Sequence, residues 1–92
     1  PLDAKTGAIV GSSIADQAHQ VLKNLSAVLQ EAGSGMDTVV KTTCFLADMQ
    51  DFAPFHEVYA QYFTGKPARS CVAVRTLPKN VLVEVECVAV VE

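Results

Sequence analysis

The chain has little positive charge and no tryptophan. Only seven of its 92 residues are lysine or arginine, and the formal net charge is −3. The basic residues are scattered, whereas nucleic-acid binding usually depends on a basic stripe or patch. Binding to nucleic acid therefore has little electrostatic support. The apolar runs are also far too short to span a bilayer, so no membrane partner is expected.

Cysteine is scarce as well. Cys44, Cys71 and Cys87 are odd in number and show neither a C-x-x-C spacing nor a Cys/His ligand spacing. This pattern argues against a disulfide framework and against structural zinc. Reduced thiols suit the cytoplasm or the mitochondrial matrix. Because the sequence begins in the middle of a pattern at Pro1, a targeting peptide could be missing from it.

The composition is that of one globular domain, spanning residues 1–92. Half of the residues are hydrophobic and 18% are charged, which is ordinary for a folded domain. A chain this short forms only a marginal core of its own. So much apolar surface on so small a domain favours oligomerisation.

Two segments place apolar residues at helical spacing. Ser12 or Ser13 is the predicted N-cap of the first helix, and Gly33 and Gly35 end it. The second helix is expected to start near Asp51 and to end before residues 65–67. Its apolar face is mainly aromatic and consists of Phe52, Phe55, Val58, Tyr59, Tyr62 and Phe63.

Three segments are predicted strands, at residues 38–47, 68–75 and 81–91, giving the order α-β-α-β-β. The last two are expected to form a hairpin through residues 75–80. Alternate residues of the last strand, from Val81 to Val91, form an apolar face that should pack on the helices.

Three ionised residues interrupt the last two strands, and ionised groups are costly to bury. They are Arg69, Glu84 and Glu86. The favoured register puts Arg69 and Cys71 on the face of the two glutamates, with Ser70, Val72 and Val74 facing the helices. That outer face also carries apolar residues, so a second subunit is expected to cover it. Three strands with open edges likewise predict oligomerisation or missing strands.

These segments resemble the reactive-intermediate deaminase family (RidA, also called YjgF, liver perchloric-acid-soluble protein or endoribonuclease/translation inhibitor). The resemblance is carried by Pro67-Ala68-Arg69-Ser70-Cys71, Leu77-Pro78 and Val83-Glu84-Val85-Glu86, in the family's order and spacing. Further similar stretches are Val39-Val40-Lys41-Thr42-Thr43, Phe45-Leu46-Ala47-Asp48, Val58-Tyr59 and Tyr62-Phe63. The resemblance runs nearly from end to end.

The resemblance implies an α+β fold like that of Bacillus-type chorismate mutase, with two helices packed on one face of a sheet. It implies a homotrimer with the sheets facing inward and active sites in the clefts between subunits. It also implies cofactor-free hydrolysis of 2-imino acids and their enamine tautomers to 2-keto acids and ammonia. Family members carry further strands ahead of the loop that opens this chain, so the domain is expected to lack its N-terminal strands.

The resemblance assigns roles to three residues. Arg69 would hold the substrate carboxylate with two parallel hydrogen bonds. Glu84 would orient the attacking water and act as base, and the backbone N–H and C=O of Cys71 would bind substrate or water. Without the motif, Arg69 reads as a partner of Glu86 or a cover for a subunit edge, and Glu84 as an inter-subunit ion pair.

Other chemistry-bearing side chains receive plainer interpretations. The Cys71 thiol has no histidine nearby in sequence that would make it a nucleophile. His19 and His56 are predicted to be surface or packing residues, and the aromatic residues of the second helix to be core.

Two other functions stay open at this point. An endoribonuclease that inhibits translation would match the family's older names, although the acidic charge and the absence of a histidine pair argue against it. A non-catalytic trimer that binds small ligands or acts as a chaperone could use the same cleft.

Overall fold

The computed structural model describes residues 1–91 and shows two helices on one face of a three-stranded mixed sheet. In chain order the elements are α1 (Ile14–Glu31), β1 (Val39–Leu46), α2 (Phe52–Tyr62), β2 (Ala68–Ala73) and β3 (Val83–Ala89). Short 3₁₀ turns precede β1, α2 and β3. The predicted α+β class and the element order are confirmed, and the strands are a few residues shorter than predicted.

Local sequence signals fix both ends of α1. The Ser13 hydroxyl caps the helix by accepting a hydrogen bond from the Asp16 N–H at 3.1 Å, which selects Ser13 over Ser12. At the other end Gly33 adopts a φ of 83°, a conformation that glycine tolerates best. Its N–H donates to the Gln30 carbonyl, and the next N–H donates to the Leu29 carbonyl. These two hydrogen bonds form a Schellman motif, which ends the helix.

The strand order is β2-β1-β3, so the predicted hairpin of the last two strands is wrong. β1 lies in the middle, parallel to β2 and antiparallel to β3. Because α2 carries the chain from β1 back to the start of β2, these two strands run parallel. Residues 74–82 then cross to the far side of β1, and Lys79 and Asn80 turn the chain there with positive φ angles.

The register places Arg69 on the helix-facing side of the sheet. Thr42 is fully buried and is the β1 partner of both Arg69 and Cys87, and directly paired residues share a face. Glu84 pairs with Phe45, on the opposite face. The predicted register, with Arg69 and Cys71 beside the glutamates, is therefore wrong. Side chains of α2, rather than carboxylates, contact the guanidinium.

The core lies between the sheet and the two helices. On β3 the alternation was predicted correctly, because Val83 and Val85 are buried and Glu84 and Glu86 are exposed. The outer sheet face mixes charges with exposed apolar side chains, including Val72 and Val88. The buried core residues come from every helix and strand except β2, and they include Ala18, Leu22, Leu29, Cys44, Leu46, Phe55, Val58, Tyr59, Phe63 and Val83.

One buried polar side chain joins separate parts of the chain. Gln17 on α1 donates from Nε2 to the Gly11 carbonyl at 3.2 Å, and its Oε1 accepts from the Leu82 N–H at 2.8 Å. The loop ahead of α1 and the segment entering β3 are thus held by the same amide. Within residues 1–91, no helix is both long and apolar enough to cross a membrane.

Candidate active site

The Arg69 guanidinium is held against one face of α2. Its Cζ atom lies 4.7 Å from the ring centre of Tyr59 and 5.2 Å from that of Phe52, within the range of cation–π attraction. Its Nη1 atom lies 2.8 Å from Nδ1 of His56. The arginine is only partly buried, so the guanidinium stays accessible to an anion.

Phe52, His56 and Tyr59 of α2 are spaced at i, i+4 and i+7, which places them on one face of the helix. The His56 ring stacks between its neighbours, with centroids 5.8 Å from Phe52 and 6.3 Å from Tyr59 and interplanar angles of 15° and 20°. Tyr59 is anchored in turn by the buried Thr42 hydroxyl, 2.7 Å from its phenol oxygen. Burial raises the pKa of Tyr59 above 10.0, so the phenol stays neutral near pH 7.

The sequence interpretation placed these aromatic residues in the core and His56 on the surface or in packing. Tyr59 is indeed core, yet its ring face also carries the guanidinium. His56 is exposed and contacts Arg69. The available signal was the 52/56/59 spacing on the helix that precedes the arginine motif, but spacing alone does not reveal which strand residue the ring faces meet.

A groove of about 570 Å³ opens beside the guanidinium. Aromatic and aliphatic side chains form part of its wall, and cationic side chains form another part. This combination suits a small anion with a short apolar body. The residues that line the groove are His56, Tyr59, Ala60, Phe63, Thr64, Lys66, Pro67 and Arg69.

The backbone of Cys71 faces the open edge of the sheet. Just after β2, the Val74 N–H donates to the Leu46 carbonyl on β1 at 2.9 Å. Successive residues of a strand point their N–H and C=O groups to opposite sides, so residues 70 and 72 bond to β1 while 69, 71 and 73 face outward. Within residues 1–91, β2 pairs only with β1. The Cys71 N–H and C=O are thus free of strand pairing, two residues after Arg69 in the sequence.

The thiols are poorly suited to nucleophilic attack. Cys71 is the strand partner of Cys44, and both are free cysteines. Burial raises the pKa of the Cys71 thiol above 9.0, and burial raises that of Cys44 to about 12. A thiolate is the reactive form, so both sulfurs are largely protonated near neutral pH.

Glu84 does not meet Arg69 within one subunit. The carboxylate is exposed on the outer face of the sheet, and the guanidinium lies on the helix side. Glu86 shares the outer face and is the β1 partner of Thr43, so it does not pair with Arg69 in the same subunit either. In the described part of the chain, no cluster of three or more His, Cys, Asp or Glu residues could hold a metal ion.

The architecture defines the class of the protein: an α+β domain with two helices on one face of a sheet and a groove lined by arginine at the sheet edge. The family profile described as Endoribonuclease L-PSP matches residues 1–91, and the chain belongs to this family. This agrees with the resemblance found in the sequence, because relatives named for RutC and for reactive intermediate deaminase are among its matches.

Three curated relatives illustrate the similarity. A RutC family protein of Synechocystis is 59% identical over 92 residues, covering 97% of this chain and 71% of the relative. Protein MMF1, mitochondrial, of Saccharomyces cerevisiae is 51% identical over 82 residues, covering 88% of this chain and 57% of the relative. Reactive Intermediate Deaminase A, chloroplastic, of Arabidopsis thaliana is 46% identical over 86 residues, covering 92% of this chain and 46% of the relative.

A solved structure confirms the fold. Escherichia coli TdcF with bound serine superposes with a TM-score of 0.93 at 40% identity, covering 100% of this chain and 75% of TdcF.

Proposed function

We propose that this chain hydrolyses reactive 2-imino acids and their enamine tautomers to 2-keto acids and ammonia, with 2-iminobutanoate and 2-iminopropanoate as substrates. The observation that carries the proposal is the Arg69 guanidinium, held by α2 at the side of a groove fit for a small anion. The name of the Arabidopsis relative supports the activity. The serine bound to TdcF supports the substrate class, because serine also carries a carboxylate next to a carbon bearing nitrogen.

Arg69 is the carboxylate clamp. One of its nitrogens bonds to His56 and its Cζ atom lies over two aromatic rings, which leaves other N–H groups free for a bidentate bond with a carboxylate. The short alkyl group of the substrate would lie against the apolar part of the groove. The Cys71 N–H and C=O, at the neighbouring open edge, would bind the substrate or the water.

Glu84 supplies the proton chemistry in this proposal. A water molecule adds to the iminium carbon while Glu84 accepts its proton, which forms a C–O bond and a neutral carbinolamine. Glu84 then returns this proton to nitrogen, the C–N bond breaks and ammonia leaves, while Glu84 accepts the hydroxyl proton as the carbonyl forms. Transfer of that proton to ammonia or solvent regenerates the carboxylate. The residues of this chain suffice for these steps without a cofactor.

The opposite placement of Arg69 and Glu84 requires that a neighbouring subunit complete the site. We propose a homotrimer with the sheets facing inward, in which Glu84 of one subunit approaches the Arg69 groove of the next. The exposed valines on the outer sheet face support this assembly, since apolar surface beside charges favours coverage by protein. We propose the cytoplasm, the mitochondrial matrix or both as the location, although the chloroplastic relative shows that the family is not confined to them.

The activity is tested by generating the imine with an amino-acid oxidase and following its decay. Arg69→Ala is expected to lower kcat/KM about 100-fold, because two charged hydrogen bonds are lost at roughly 1.5 kcal/mol or more each. Arg69→Lys should stay impaired because it lacks the fork. Glu84→Gln should lower kcat more than it raises KM. Exposed Arg75 provides the control, and Arg75→Ala should match the wild type.

Light scattering and circular dichroism would show that each variant is folded and assembled. Unchanged turnover in a folded Arg69→Ala protein would exclude the clamp. A subunit-mixing experiment tests the assembly, because mixing the impaired Arg69→Ala and Glu84→Gln variants should restore part of the activity. Absence of restoration in confirmed mixed trimers would show that both groups act within one subunit.

The family description gives one alternative a specific basis, since it names an endoribonuclease. Incubation with single-stranded RNA tests it. Cleavage that copurifies with the protein and disappears in Arg69→Ala would favour this alternative. Ligand binding without turnover of either substrate would instead favour a binding or chaperone-like trimer.

A further inference from the structure

The contact between Arg69 and His56 constrains the protonation of the imidazole. An arginine side chain has only donors, so at an Nη1–Nδ1 distance of 2.8 Å the Nδ1 atom must be the acceptor. The ring proton then lies on Nε2. Within residues 1–91 this is the one side-chain hydrogen bond of the guanidinium.

The two aromatic contacts and the hydrogen bond restrict different motions. The rings of Tyr59 and Phe52 attract the cation to their faces, but a cation–π contact depends on the distance to the ring face and does not set the direction of each N–H group. The bond to His56 sets the direction of one N–H group. It therefore influences which pair of N–H groups is presented to a carboxylate, and a bidentate bond depends on that direction.

Protonation would abolish this restraint. An imidazolium has two donors and no acceptor, and it would place a second cation against Arg69. The other titratable groups around this contact are Tyr59 on α2, Lys66 before β2, and the thiols of Cys44 and Cys71. None of the residues that line the groove is acidic, so no carboxylate there would offset the added charge.

We propose that His56 is a positioning residue for the substrate clamp: the neutral imidazole orients the Arg69 guanidinium, and its protonation weakens binding of the substrate carboxylate. The inference rests on the proposed role of Arg69 in binding that carboxylate. It adds a pH-sensitive partner from α2, which the arginine motif on β2 does not contain.

The test compares His56→Asn, which keeps a hydrogen-bond acceptor at the δ position, with His56→Ala, which removes it. Asn places an oxygen acceptor at the δ position where His56 has Nδ1, and it does not titrate, whereas Ala removes the acceptor. With 2-iminobutanoate, His56→Ala is expected to raise KM about tenfold and to change kcat less. His56→Asn should recover most of that loss. His19 bonds to Tyr62 at 3.0 Å, away from Arg69, so His19→Asn serves as the matched control.

The pH profile separates orientation from simple packing. In a series of falling pH in which ¹⁵N NMR reports the charge of the imidazole, the KM of the wild type and of His19→Asn should rise as His56 takes up its second proton. The KM of His56→Asn should stay nearly constant, once the uncatalysed decay of the imine is subtracted. A wild-type KM that falls at low pH would mean that the imidazolium itself attracts the carboxylate, which would overturn the positioning role.

Two further results keep this inference separate from the proposed function. ¹⁵N NMR of the histidines should show the Nε2–H tautomer for His56 near pH 8, and an Nδ1–H tautomer would overturn the inference without any activity measurement. If Arg69→Ala loses activity while His56→Ala and the wild type share one pH profile, only the role of His56 fails. If Arg69→Ala stays fully active, the clamp itself fails.

Discussion

The Thr42 hydroxyl lies 2.7 Å from the Tyr59 phenol oxygen, and both side chains are buried. This bond links the central strand to the helix whose aromatic rings support Arg69. The floor of the candidate site is therefore anchored by a polar contact inside the core. Such a contact costs little when it is satisfied and much when one partner is removed.

The Thr42–Tyr59 hydrogen bond predicts non-additive changes in the free energy of unfolding in a double-mutant cycle. Thr42→Val keeps the shape but leaves the phenol without its partner, so the free energy of unfolding should fall by about 1–3 kcal/mol. The double variant Thr42→Val/Tyr59→Phe should recover part of that loss, because neither polar group is then left buried. Urea unfolding at one protein concentration measures all the terms. Strictly additive effects of the two single substitutions would show that the hydrogen bond is not coupled.

The open edge at Cys71 predicts that its backbone, and not its sulfur, supports binding. Cys71→Ala should keep kcat/KM within about threefold, since burial raises the thiol pKa and leaves little thiolate at neutral pH. Cys71→Pro removes an N–H that does not bond to β1, so the strand should tolerate it. Its KM should nevertheless rise about tenfold through the lost donor. Equal kinetics for the folded Ala and Pro variants would exclude the N–H as a ligand.

The two hydrogen bonds of Gln17 predict a stability defect away from the groove. Gln17→Leu would leave the Leu82 N–H and the Gly11 carbonyl without this partner, at a cost of about 1–3 kcal/mol in the free energy of unfolding. Exposed Gln30 on the same helix provides the matched control, and Gln30→Leu should change stability by less than about 0.5 kcal/mol. Chemical denaturation distinguishes the two, and similar effects at both positions would contradict the bridging role.

Burial raises the pKa of Cys44 from 9.0 to about 12, which predicts a loss of stability in alkali. Below about pH 9 the thiol is protonated in both states and contributes no pH dependence. Between about pH 9 and about pH 12 only the unfolded state ionises, so stability falls by up to about 1.4 kcal/mol per pH unit through this group.

The Cys44→Ala variant isolates that contribution. Near pH 7 it should be less stable than the wild type through lost packing, and the gap should narrow as the pH rises above about 9. Urea midpoints measured at several pH values provide the comparison. A gap that stays constant up to about pH 11 would contradict a buried thiol with a raised pKa.

The sequence was a good guide to features with a local cause. The apolar stripe of α1, its cap at Ser12 or Ser13 and its ending at Gly33 each depend on residues only a few positions apart, and all three were predicted. The neighbours of each strand were not. Alternation reveals two faces of β2 but not which face meets the helices. The wrong register followed in part from placing Arg69 beside carboxylates, and the wrong hairpin followed from pairing two strands that are consecutive in sequence.

The residues of the candidate site also fall into those that the sequence identified and those that it did not. Arg69, Glu84 and Cys71 were named from a motif and its family resemblance, whereas His56 and Tyr59 were assigned to surface or core. Aromatic residues at helical spacing are usually core, and Tyr59 is core on one side of its ring. Its contact with Arg69 depends on the parallel pairing of β1 and β2, which brings residues from separate elements together and leaves no mark in either segment.

The middle position of β1 has a consequence for how the domain assembles in time. Its antiparallel neighbour β3 comes only after the whole of α2 and β2, so the pairing of Val39 with Ala89 closes a long loop. Such closures are slow steps in folding. A nascent chain that lacks residues 83–89 would hold only β1 and β2, with the β3-facing edge of β1 still unpaired. At this stage, association with other unfinished chains would compete with folding.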